Sequence, residues 1–296
     1  MAHADQTHDP SQYYFPHGSK LPFFGSVSLF TLMAGAAAML NGAAIGSWVL
    51  GIGLLLLFTL FFLWFGEVIE ENQAGLYNEQ VDRSFRMGMM WFIFSEVMFF
   101  AAFFGALFYA RQLSVPWLGG EGEKAISNLL WSGFEAGWPS NGPAELGPRD
   151  DGSYEIIPAF GLPALNTALL LTSGLTLTVA HHAVKSAHRG ILKVFLAATF
   201  VLGFIFLGVQ VLEYGHAWQE LGLTLGTGIY GSTFFMLTGF HGLHVMVGAI
   251  MLVVIWLRCL KGHFTPRNHF AFEAVAWYWH FVDVVWLGLF IFVYWL

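Results

Sequence analysis

Long uncharged stretches alternate with short polar ones along the chain. No Lys, Arg, Asp or Glu occurs from residue 21 to 66, room for two membrane crossings of about 20 residues each. Asn41-Gly42 breaks that run, so the pattern predicts spans near 24–40 and 47–66. A third, 87–110, is interrupted only by Glu96, and Pro158 and Pro163 precede a fourth at 164–184. A fifth covers 194–212 and stops at Glu213. Residues 221–257 are uncharged, with Gly226-Thr227-Gly228 marking the start of a sixth span. A seventh, 272–295, contains Glu273 and Asp283. The expectation is an all-α membrane protein with seven transmembrane helices.

Composition excludes the main alternative. Of 296 residues, 56% are apolar and only 10% charged, against about 25% charged in ordinary soluble domains. With a mean hydropathy of +0.62, too few charges exist to clothe a soluble surface. A single cysteine, Cys259, allows no intrachain disulfide and no cysteine-based zinc or iron–sulfur site. No basic stripe suggests nucleic acid.

The twelve Lys and Arg orient the chain. Counting loops alternately, Lys20, Arg83, Arg86, Lys185, Arg189, Lys193, Arg258, Lys261 and Arg267 fall on one side. The other side has only Arg111, Lys124 and Arg149, all in one long loop, and long loops weigh little in the positive-inside rule. The polar N-terminal tail, 1–20, carries no signal-peptide pattern and is expected to be cytoplasmic, with the C-terminus periplasmic. The long connection, 112–162, is then extracytoplasmic. Its seven acids (Glu121, Glu123, Glu135, Glu145, Asp150, Asp151, Glu155) read either as a solvated cap or as a contact for a basic partner.

Polar residues inside the spans are the candidate chemistry. Glu96 lies near mid-bilayer, where a carboxylate is costly, and reads as a proton or ion path or as a hydrogen-bonded packing group. In the last span Glu273, Trp277 and His280 follow helical spacing, and Asp283 is three residues beyond His280. A His–carboxylate pair there could be a relay, a ligand with its support, or interhelix glue. His241 and His244 stand at i, i+3, the sharpest candidates for a metal, yet metal ligation needs convergent ligands. His181 and His182 are adjacent at a helix end, and His216 shares no face with either pair, so no metal is expected. At the basic ends, Trp64, Glu71, Arg258 and Lys261 suit lipid headgroups or ordinary interfacial anchoring.

These segments, in order, resemble cytochrome c oxidase subunit III over nearly the whole chain. The resemblance is carried by Phe92-Ile93-Phe94-Ser95-Glu96-Val97-Met98-Phe99-Phe100, by Asn166-Thr167 leading to Ala180-His181-His182-Ala183, and by Glu213-Tyr214. It continues through Tyr230-Gly231-Ser232-Thr233-Phe234-Phe235 and Thr238-Gly239-Phe240-His241-Gly242-Leu243-His244-Val245. Its most specific part runs from Phe272-Glu273 through Trp277-Tyr278-Trp279-His280-Phe281-Val282-Asp283 to Trp286.

The resemblance implies seven helices in two groups, 21–71 (helices one and two) and 79–296 (helices three to seven), separated by a lipid-filled cleft. It implies a non-catalytic subunit of an oxidoreductase complex, with no catalytic residue, no metal and no cofactor of its own beyond bound phospholipid. Haem and copper are expected on partner subunits I and II, with direct packing on subunit I. Glu96 matches the family's buried carboxyl near subunit I. Trp64, Glu71, Arg258 and Lys261 match its lipid contacts. Glu213, His241, His244, Glu273, His280 and Asp283 are expected to form an interhelix polar network. The implied location is a bacterial inner membrane, and the long loop is open to an electron-donor contact.

The match is incomplete around Trp64-Phe65-Gly66-Glu67-Val68-Ile69-Glu70-Glu71, where the family often has two arginines and a second tryptophan. The alternatives are a proton-coupled seven-helix transporter using Glu96, His280 and Asp283, or subunit III of a quinol oxidase. A retinal protein is disfavoured, because the last span has no Lys for a Schiff base.

Overall fold

The computed structural model describes residues 13–15, 18–149 and 151–296. Most of the expected polar tail, and Asp150 of the acidic loop, lie outside these residues. Among the described residues there is no strand, and seven helices are long and apolar enough to cross a membrane. They are α1 (Leu21–Leu40), α2 (Gly46–Gln73), α3 (Glu79–Tyr109), α4 (Leu162–Lys185), α5 (Arg189–Gln219), α6 (Gly228–Leu260) and α7 (Phe270–Leu289). The ladder of α3 widens to π geometry at Ala110–Ser114, just before Pro116, which has no N–H to offer. The end of α7 runs on as π helix over Phe290–Trp295.

Charge-free runs mark membrane depth rather than helix length, so several helices outrun their expected spans. α2 continues past Gly66 through the acidic turn to Gln73, and α5 continues past Glu213 to Gln219. The sixth helix begins at Gly228, inside the uncharged run, where Gly226-Thr227-Gly228 was expected to open it.

The chain forms two compact units that meet within α3, one up to Met87 and one from Gly88. In the first, α1 and α2 form an antiparallel hairpin closed at Asn41-Gly42, where Gly42 takes a φ of 74°. Three glycines set its spacing. A Cβ on Gly35 would strike the backbone at Leu50, one on Gly46 that at Met39, and one on Gly53 that at Leu32. Such small-residue contacts let apolar helices pack where no hydrophobic effect drives them together.

The second unit is built around α7, half of whose apolar window is buried, against 11% for α1. Trp279, fully buried, fills a slot opened by Gly203 of α5 and Gly248 of α6, and its indole N–H donates to Ser173 Oγ of α4 at 2.9 Å. Two turns on, Trp286 donates to Thr167 Oγ1 at 2.9 Å and meets Phe206 edge-on at 4.7 Å. Both tryptophans thereby bury large apolar area while pairing their only donor. Elsewhere in the helices, hydroxyls such as Thr31, Thr59, Thr172 and Thr233 donate to the carbonyl four residues back. Each of these hydroxyls thereby satisfies its donor within its own helix rather than facing an apolar surround unpaired.

The 119–161 segment is a packed cap. Ser140 accepts from the Tyr230 amide at 3.1 Å, Glu155 donates its amide to Leu221 at 2.8 Å, and Arg149 donates to the Glu220 carbonyl at 2.6 Å. These bonds tie the segment to the α5–α6 connection. The described acids of this segment all point to solvent.

Candidate functional site

Glu96 occupies the middle of α3, and one oxygen of its carboxyl lies 3.0 Å from His244 Nε2 on α6. His244 donates Nδ1–H to the Phe240 carbonyl at 2.7 Å, which fixes the ring and leaves Nε2 to face the carboxyl. At this separation a hydrogen bond joins α3 to α6. Phe99, Phe100, Tyr278 and Phe281 surround the imidazole with ring centroids 5.0 to 6.4 Å away, Tyr278 stacked at 6.3 Å. The pair is not sealed: the Glu96 side chain keeps 22% exposure and His244 13%.

The other expected polar residues do not form one network; they fall into separate groupings. His241 is fully buried, donating Nε2–H to the Val282 carbonyl at 3.2 Å and packing on Trp286. Glu213, also fully buried, accepts from Gln210 at 2.9 Å and from the Tyr294 hydroxyl at 2.6 Å, tying α5 to the C-terminal segment. His280 Nδ1 is 3.4 Å from Asp283 Oδ2, and Gly174 of α4 leaves room for that carboxylate. Glu273 does not join His280. It lies with His269, Nε2 at 3.2 Å, with His181, Nε2 at 3.5 Å, and with Lys185 at 4.0 Å.

The expected lipid contacts also separate. Trp64 is exposed on α2, whereas the Glu71 carboxylate accepts from Tyr14 at 2.8 Å and from Tyr77 at 2.6 Å. Burial, then the bond to Glu71, pushes the Tyr14 hydroxyl up to about 12, and raises Tyr77 for the same reasons. Arg258 is buried with its guanidinium 4.6 Å above the Phe264 ring, and Lys261 is exposed. Partial burial, and then the charges of Arg258 and Lys261, lower His263.

Tyr14, Tyr77 and His269 were not legible as site residues. For His269 a signal existed, because His269 and Glu273 are four apart at the start of α7 and share a helical face. His181 comes from α4, far away in sequence, and no spacing could have found it.

A multi-pass helical membrane protein, its intramembrane polar groups largely paired between helices, is the class these observations define. Comparison with known proteins is more specific. The family model for cytochrome c oxidase subunit III matches residues 11–122 and 142–296. Cytochrome c oxidase subunit 3 of the cod Gadus morhua is 39% identical over 290 residues, 98% of each chain. Those of the ostrich Struthio camelus and the goldfish Carassius auratus are 36% and 38% identical over 289 residues, covering 97% of this chain and 98% of theirs. The chain belongs to the cytochrome c oxidase subunit III family and serves as a subunit of that oxidoreductase complex.

Proposed function

We propose that the chain is a non-redox subunit that supports proton uptake and turnover stability in a catalytic partner, with haem and copper carried by subunits I and II. The observation that carries this reading is the Glu96–His244 couple, a hydrogen-bonded pair at the middle of two spans that is still partly open at the helix surface. A sealed structural pair would be buried on all sides; this one suits contact with subunit I. The exposed apolar faces, Phe30 at 76% and Phe62 at 81%, suit phospholipid or a neighbouring subunit.

Nine of the twelve basic residues on one side support an N-terminus on the inner face of the membrane and a C-terminus on the opposite face. The exposed acids of the 119–161 segment offer a basic electron donor a surface. Turnover lifetime of the purified complex, before and after phospholipid removal, tests the support role. Shortened lifetime with initial rate retained is expected, and an unchanged lifetime contradicts a functional lipid contact.

A further inference from the structure

We propose that His181, His269 and Glu273 form a binding site for a borderline divalent cation of the zinc class, clamping the end of α4 to the start of α7. One ligand atom from each residue lies within 4.8 Å of the other two. The His269 and His181 Nε2 atoms are both buried without a hydrogen-bond partner, and they lie 3.2 and 3.5 Å from Glu273 Oε1. His269, 8% exposed, donates Nδ1–H to the Thr265 carbonyl at 3.1 Å. That bond fixes the tautomer and leaves the Nε2 lone pair available beside the carboxylate. Beside a carboxylate oxygen 3.2 Å away, that nitrogen is stabilised either by a proton of its own or by a bound cation.

The spacing fits zinc. Bonds of about 2.0–2.2 Å at tetrahedral angles put neighbouring ligand atoms about 3.3–3.5 Å apart. The two contacts to Glu273, 3.2 and 3.5 Å, already have that separation. Only the two histidines must close slightly. Two imidazoles and one carboxylate favour zinc over magnesium or calcium, which take oxygen ligands, and leave a fourth position for water. The Lys185 ammonium, 4.0 Å from Glu273 on a half-exposed side chain, is the resident counter-charge that a metal displaces to solvent. This site is distinct from the Glu96–His244 couple and does not depend on its function.

Zinc titration of the detergent-purified complex against a chromophoric chelator tests the site, together with X-ray absorption of the zinc-loaded protein. One zinc ion in a shell containing two imidazoles is expected at this site. His269→Gln and Glu273→Gln should each weaken binding at least about tenfold. His182→Gln, on the neighbouring residue outside the cluster, should leave it unchanged. Zinc absent from the protein, or affinity unmoved by both ligand variants, overturns the site. If the variants fail to fold, the absorption spectrum of the unaltered protein decides: a shell without two imidazoles also overturns it.

Discussion

His244 Nε2 and Glu96 Oε2 approach to 3.0 Å across two helices that are 148 residues apart in sequence. In an apolar surround neither group is stable as a lone charge, so each is the other's condition for being there.

Glu96→Gln keeps the volume and lets an amide N–H donate to His244 Nε2. The complex is expected to assemble, with oxygen reduction retained and at most a partial loss of pumping or turnover lifetime. Complete loss of oxygen reduction in an assembled complex contradicts a supporting role. Glu96→Leu removes the partner and leaves a partly buried imidazole nitrogen unpaired, costing about 1 kcal/mol or more of stability. Thermal unfolding of the two variants separates these effects.

Trp279 is the keystone of the second unit. Trp279→Ala is expected to lower stability by about 3–5 kcal/mol, since it empties the slot between Gly203 and Gly248 and frees Ser173. Trp279→Phe, which keeps most of the apolar volume but not the donor, should cost clearly less. Denaturant unfolding in mixed micelles measures both, and equal losses would show that packing is not the main term.

The Tyr14–Glu71–Tyr77 node gives an alkaline signature. The folded value of Tyr14, about 12, stands above its ordinary 10.0. The protonated phenol therefore contributes stability in full below pH 10.0 and loses it as the pH rises through about 12. Tyrosinate absorbance should show two late-titrating tyrosines that shift to lower pH in Glu71→Gln. Titration of both at the ordinary value with Glu71 intact would contradict the node.

Gly203→Leu and Gly248→Leu test close approach at α7. Each side chain would have to displace the Trp279 ring, and a loss of about 1–3 kcal/mol is expected in each. Gly208→Leu on α5, where a Cβ meets open space, should be near neutral. Melting curves of the three variants rank the prediction, and a Gly208→Leu loss as large as the others would contradict it.

Seven spans were legible because apolar length and scarce charge are what a bilayer demands of a helix. Helix ends were less so. Glu213 looked like the end of a span, yet α5 carries it through the interior because Gln210 and Tyr294 pair it there. Partners were the least legible. Helical spacing places Glu273 and His280 on related faces, but the neighbouring helix decides contacts: α4 brings His181 and Lys185 to Glu273, and Gly174 makes room for Asp283. A periodicity says which way a side chain faces, not what stands opposite.

The role proposed for this chain is that of a subunit without its own redox group inside a haem-bearing assembly. Purification of the tagged chain in mild detergent, followed by an absorbance spectrum and identification of whatever accompanies it, tests that most directly. Haem absorbance is expected to travel with a separate partner and to vanish when the partner is stripped away. A monodisperse chain with no haem-bearing partner, or haem retained by the isolated chain, would contradict it.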